Sequence, residues 1–217
     1  MARGTDFGGV HSSLDLHLIQ QSVAISPAEP KLNFIDIPGA DGSKDLSTSP
    51  AGRVVYKDRS VQWAFALYPG DRWEEKQRQV SRELNGRRCR ITLDTDPDYY
   101  FDGRLTVKSY KRNQTLRQII VEAICRPYML KQQHTTVLAN ISAEYTALTL
   151  RNECKPVIPT ITVTAETTLR WGGFTTTIPA GTHKVLDIQL ETGDNLLEAK
   201  TTSGTGTITI TYQEGAL

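Results

Sequence analysis

The stretch SVQWAFAL, residues 60–67, alternates Val61, Trp63, Phe65 and Leu67 with smaller or more polar side chains. A period of two sends that apolar set to one face of a strand, so the segment predicts a half-buried antiparallel strand. Working outward, Leu14, Leu16 and Leu18 repeat the alternation and predict a second strand. Residues 118–125 place Ile119, Ile120 and Val121 in succession, apolar toward both faces, which suits a central strand covered on two sides. One helix interrupts the pattern. Asp71 with Glu74 three residues on reads as a capping box, Trp73, Val80 and Leu84 share a face, and Gly86 follows as a stop. The spacing predicts a helix over 71–85 whose other face, with Glu75, Lys76, Arg78, Gln79 and Arg82, is solvated or forms an interface rim.

Threonine divides the chain. Residues 135–217 hold 20 threonines, residues 1–134 only six. Charge divides it in the same place, with 20 Lys and Arg against 16 Asp and Glu in the first part and five against eight in the second. The second part repeats short alternations, Ile161 and Val163 between threonines and then Ile208, Ile210 and Tyr212 between threonines. Turn signals at Gly172-Gly173, Ala180-Gly181, Gly193-Asp194 and Ser203-Gly204 punctuate them, predicting a small all-β sandwich. The expected fold class is mainly β, a β-rich α+β chain, with domains at 1–134 and 135–217.

Composition excludes several function classes. The formal net charge of +1 gives no basic excess for a nucleic-acid or membrane binder. No segment approaches the roughly 18 apolar residues of a membrane span, and the first residues lack the apolar run of a signal peptide, so synthesis in a cytoplasm is expected. Cys89, Cys125 and Cys154 are widely spaced, outside any CxxC pattern, and read as reduced structural thiols.

The segment DTDPDYY puts Asp94, Asp96 and Asp98 at the first three ligand positions of a calcium loop. Tyr99 then stands where the loop needs Gly and Leu105 where it needs a bidentate Glu, so a hairpin turn is expected, with a looser cation site as the alternative. GADGSK at 39–44 lacks the spacing of a phosphate loop and is read as a turn. His11, His17, His134 and His183 are scattered, no GxSxG surrounds a serine, and no metal, cofactor or nucleophile is expected. Arg87, Arg88 and Arg90 follow the helix and read as complementing its dipole. Trp171, beside Gly172, Gly173 and Phe174, is the candidate for stacking on a sugar ring.

Several ordered segments together resemble the distal tail protein family of siphophages and related tail-like particles. They are DFGGVHSS at 6–13, SPAEPKLNFIDIPGADGSKDLS at 26–47, YKDRSVQWAF at 56–65, the helix that follows, and DPDYYFDGRL at 96–105, closing near ICRPYML. The C-terminal part, with IPAG at 178–181 and the ending GTGTITITYQEGAL, resembles the galectin-like sandwich that ends many such proteins.

The resemblance implies a non-enzymatic baseplate hub protein of the virion tail tip. Its tail-tube-like N-terminal domains would form a homohexameric ring, stacked on the tail tube protein and on a tip or tail-associated lysin-type hub protein, with DNA passing through unread. It also implies the interface elements: the loop with Ile37, Pro38, Gly39, Asp41 and Gly42, and the hairpin with Asp96, Asp98, Tyr99 and Tyr100. The outer sandwich would dock a receptor-binding protein or touch a host glycan. Two other readings stay open. One is a carbohydrate-binding adhesion protein using Trp171; the other is a cell-wall hydrolase using dispersed carboxylates such as Asp94 and Glu122.

Overall fold

The computed structural model describes residues 4–48, 51–112, 117–202 and 204–217. The chain forms two contact units, Met1–Met129 and Leu130–Leu217. The first contains β1 (Thr5–Phe7), β2 (Leu18–Ile25), β3 (Phe34–Asp36), β4 (Ser43–Asp45), β5 (Arg59–Leu67), α1 (Trp73–Leu84), β6 (Arg88–Leu93), β7 (Asp96–Arg112) and β8 (Arg117–Cys125). Its main sheet runs β1-β6-β7-β8-β5-β2, antiparallel at every pairing, while β3 and β4 pair only with each other.

Val61, Trp63, Phe65 and Leu67 all face the core from β5, as the alternation requires. The Phe7 ring meets Trp63 edge-on at 5.1 Å and Phe65 at 6.2 Å, although β1 and β5 stand far apart in the strand order. The sheet therefore curls until its β1 edge approaches β5 and β2 at its other end, where the Thr5 hydroxyl donates to the Gln20 side-chain oxygen at 2.6 Å. β8 is central, lying between β7 and β5. It is not covered on both faces: Ile119 and Val121 are buried, but Ile124 is 51% exposed on the outer side.

The alternation at Leu14, Leu16 and Leu18 does not make one strand; only Leu18 enters a strand, as the first residue of β2. Asp15 and Leu16 donate their N–H groups to the His11 carbonyl, so the segment is a turn that leaves Leu14 exposed and drops Leu16 and Leu18 into the core. The helix is shorter than predicted. It starts at Trp73 with Arg72 as N-cap and no side-chain cap, so the Asp71 capping box does not form. The Asp71 N–H is already committed to the Tyr68 carbonyl in the turn before the helix. Trp73, Val80 and Leu84 do seal the helix onto the core, and the Tyr110 hydroxyl donates to the Gln77 carbonyl at 3.2 Å.

β9 (Met129–Lys131) carries the chain into the second unit, which adds β10 (Thr135–Ile141), β11 (Thr146–Asn152), β12 (Thr160–Val163), β13 (Thr167–Trp171), β14 (Phe174–Ile178), β15 (Gly181–His183), β16 (Gly193–Thr201), β17 (Gly206–Tyr212) and β18 (Gly215–Ala216). Two four-stranded antiparallel sheets, β10-β17-β12-β15 and β11-β16-β13-β14, enclose one core that includes Ile161, Val163, Leu169, Leu197, Ile208 and Ile210. The threonines between those residues face outward. Gly172-Gly173 closes the β13–β14 hairpin, while Gly181 and Gly193 open strands and Ser203 lies outside the described residues. Lys131 ties the last residues down, with ion pairs at 3.1 Å to both Glu153 and the buried Glu214.

The fold is thus mainly β with one helix, built from several antiparallel sheets.

Candidate assembly surface

Between β2 and β5 the chain leaves the sheet as a long two-stranded ribbon. Its rungs are backbone hydrogen bonds from Ser26 to Ser60, Lys57 to Glu29, Lys31 to Val55 and Leu46 to Asn33, with β3 and β4 beyond them. The connection 37–42 forms the tip, where Gly39 and Gly42 take φ of +83° and +74°. Side chains with a Cβ avoid that region, so these two glycines set the turn. The Asp36 carboxylate accepts from the Ser43 hydroxyl at 2.6 Å and closes the tip.

The ribbon has almost no interior. Leu32, Phe34, Ile35 and Ile37 are 61%, 56%, 47% and 48% exposed, and none belongs to either core. A lone two-stranded ribbon is marginal in water, and this one gathers apolar side chains where most surfaces scatter them. Its root, by contrast, is firmly clamped. Arg59, only 6% exposed, donates Nε to the Ser26 carbonyl at 3.0 Å and Nη1 to the Pro127 carbonyl at 3.2 Å, and lies 5.4 Å from the Phe101 ring centre. Burial lowers the guanidinium pKa from its ordinary value.

The predicted loop residues Ile37, Pro38, Gly39, Asp41 and Gly42 all sit exposed at this tip. The second predicted group is elsewhere, at the hairpin joining β6 to β7, where Leu93 pairs with Asp96 across Asp94 and Thr95. Asp98 is exposed there and Tyr99 partly so. Tyr100 departs from the expectation: it is 4% exposed, with the Arg90 guanidinium 4.8 Å over its ring, so it supports the hairpin from below. The two groups belong to different elements, one growing from the β5–β2 side of the sheet and the other closing β6 and β7 beside β1.

Asp94 is a latch. Its carboxylate accepts from the Gly4 N–H at 2.7 Å and contacts His11 Nε2 at 3.1 Å, while His11 Nδ1 accepts the N–H groups of Ser13 and Leu14. Among the described residues no group of three His, Cys, Asp or Glu is placed to hold a metal ion. Glu122 pairs with Lys108 at 2.6 Å, so Asp94 and Glu122 are each engaged separately.

The arginines after the helix do not complement its dipole. Arg87 donates to the Gly8 carbonyl at 2.7 Å, and Arg88 grips Asp102 with two bonds of 3.1 and 2.8 Å. Arg126 joins Asp102 at 3.2 Å. The Arg88 hydrogen bond holds the Asp102 carboxyl below the usual aspartate range. This cluster surrounds a cavity of about 420 Å³ beside Ile124, also lined by Asp58 and Arg104. Sequence reasoning missed Arg59, His11 and Asp102, because each acts through a partner tens of residues away.

Cys89, Cys125 and Cys154 are free thiols. Burial pushes the Cys125 thiol up to about 12, which leaves it protonated and inert. Trp171 packs against the core of the second unit and turns only part of its surface outward.

No family model matches the sequence, and no curated protein matches it. Among solved structures, the chain is similar to the crystal structure of the SPP1 Dit protein, described as a paradigm of the hub adsorption apparatus in phages that infect Gram-positive bacteria. The superposition has a TM-score of 0.65 at 14% identity and covers 98% of this chain and 99% of that one. A designed double-stranded β-helix aligns with 38% of the chain at 15% identity and a TM-score of 0.28, too low to support any argument. Over its whole length, then, the chain has the β-rich fold of the SPP1 Dit protein.

Proposed function

We propose that this protein is a structural component of a phage-type tail hub, located at the tail tip, where copies assemble into a homohexameric ring. The observation that carries the proposal is the ribbon at 26–58: a clamped root, a glycine-set tip and a row of apolar side chains, each about half in water. Burying Leu32, Phe34, Ile35 and Ile37 against a neighbouring copy removes apolar surface from water, the main driving force of association. The full-length likeness to SPP1 Dit supports the same reading.

A closed ring needs two different surfaces per subunit, each meeting the other on the next copy. The ribbon and the β6–β7 hairpin with Asp96, Asp98 and Tyr99 are two such elements on separate parts of one sheet. In this reading the ring stacks on the tail tube protein on one side and a lysin-type tip protein on the other, and DNA passes through without being read. The second unit docks a receptor-binding protein. The chain's role is mechanical, with no catalytic step assigned to it.

The test is negative-stain electron microscopy of the purified protein, alone and mixed with tail tubes from the same particle. Six-fold rings that cap tube ends are the expected result. Particles that remain single in both samples overturn the proposal.

A further inference from the structure

The two faces of the ribbon tip differ in charge. β3 and β4 pair Phe34 with Asp45, Ile35 with Lys44 and Asp36 with Ser43, and residues opposite each other in a ladder project to the same face. One face therefore shows an aromatic ring beside two carboxylates, Asp36 and Asp45, and the other shows Ile35 with Lys44. All of these side chains are exposed. With Asp36, Asp41 and Asp45 against Lys44, the tip is net negative.

A surface of the opposite sign lies at the root of the same ribbon. In the registers of β7, Arg104 stands opposite Arg88 on one side and Ile124 on the other, so the three form a row across the outer face of the main sheet. Arg126 stands two residues beyond Ile124. These three arginines and the half-exposed Ile124 line the 420 Å³ cavity together with Asp58 and Asp102, so guanidiniums outnumber carboxylates there. Asp102 fixes Arg88 and Arg126, and the Gly86 carbonyl accepts from Arg104 Nη1 at 2.7 Å. A carboxylate entering this cleft meets the planar forks that bind carboxylates most strongly.

The ribbon cannot fill the cleft of its own chain. Its backbone rungs begin at Ser26 and Ser60, beside Asp58, and from Ser26 to Asp36 the strand runs roughly ten residues, about 30 Å at the rise of a strand. The rungs hold the acidic tip that far from the basic root. Tip and root are thus two different surfaces of one chain with complementary charge and an apolar side chain in each, as a head-to-tail contact requires.

We propose that the cleft lined by Arg88, Arg104, Ile124 and Arg126 receives the ribbon tip of a second copy of this chain, with Phe34 on Ile124 and Asp36 and Asp45 on the arginines. The inference rests on the ring reading above and names the acceptor surface for the ribbon. The cleft lies on the same β6–β7 ladder as the Asp96–Tyr99 hairpin, toward its other end, so it extends the surface already assigned there.

The experiment is sedimentation velocity on the full chain and two charge-reversed variants, Asp36→Lys with Asp45→Lys at the tip and Arg104→Glu with Arg126→Glu at the cleft. Each variant alone is expected to assemble about tenfold more weakly or worse, because like charges then face each other. An equimolar mixture of the two is expected to assemble again, since each tip then finds a cleft of opposite sign on the other variant. Recovery in the mixture also shows that both variants fold. The parent supplies a second readout: its assembly is expected to weaken about tenfold between about 50 mM and about 500 mM NaCl, as screened charge pairs do. A parent that assembles while the variants assemble equally well, a mixture that does not recover, or assembly indifferent to salt would overturn this contact and leave the ring standing. A parent that forms no oligomer under any of these conditions would remove the ring reading and this contact with it.

Discussion

Replacing Phe34, Ile35 and Ile37 together by serine separates assembly from folding. All three stand on the ribbon, roughly half of each side chain is already in water, and none contributes to the core of the first unit. Full burial of such a side chain is worth about 2 kcal/mol, so covering the exposed half of each against a neighbour contributes about 1 kcal/mol, or about 3 kcal/mol for the set. That is about a hundredfold in the strength of each contact between copies. The folded subunit should scarcely notice, because surface substitutions away from packed groups stay within about 0.5 kcal/mol. Urea denaturation at low protein concentration measures the second quantity, and sedimentation velocity across a concentration series measures the first. A variant that unfolds early would show the ribbon to be part of the core. A variant that assembles as well as the parent would show that these side chains bury nothing on association.

Three further outcomes follow from the first unit. A Cβ added at Gly103 would lie 2.4 Å from Cys125 Sγ and 3.0 Å from the Ile124 carbonyl oxygen, so Gly103→Ala should cost about 1–3 kcal/mol in a urea titration, with only part recovered in the Cys125→Ala background. The Asp102 carboxyl, held low by Arg88, stabilises the fold at pH above its ordinary unfolded value of about 3.9 and loses that effect as pH falls through the lower folded value. Asp102→Asn should therefore be less stable by about 1 kcal/mol near neutral pH, with the gap in melting temperature closing well below pH 4. Cys125, buried and with its thiol near 12, should resist alkylation at pH 8 until the chain unfolds; rapid labelling of the native protein would contradict that placement.

Local alternation made much of the fold legible. The residues of β5, β12 and β17 show their inward faces directly, because a strand's period of two needs no knowledge of its partners. Leu14, Leu16 and Leu18 show the limit, since the same spacing arises in a turn when two leucines reach one core by different routes. Asp71 failed as a cap because capping depends on where the backbone first turns helical, and the preceding Tyr68–Asp71 turn delays that point to Trp73.

The candidate surface was half legible. The tip loop could be found because Gly39, Asp41 and Gly42 are turn chemistry that any sequence displays. The reason to regard it as an interface, a ribbon of exposed apolar groups anchored by Arg59, depends on burial and on contacts 33 and 68 residues apart, which local spacing does not encode. The burial of Tyr100 has the same kind of cause: Asp98 and Tyr100 stand two positions apart on one strand, yet Asp98 is exposed near the hairpin while Tyr100 is buried with the Arg90 guanidinium over its ring, a contact that local spacing does not encode.

The most direct test of the account is the absolute mass of the purified protein in solution, by light scattering on a size-exclusion peak over a range of loading concentrations. A species at six times the 24.1 kDa chain mass is expected, dissociating on dilution and in the ribbon variant. A 24.1 kDa monomer at every concentration, unchanged when tail tubes are added, would contradict it.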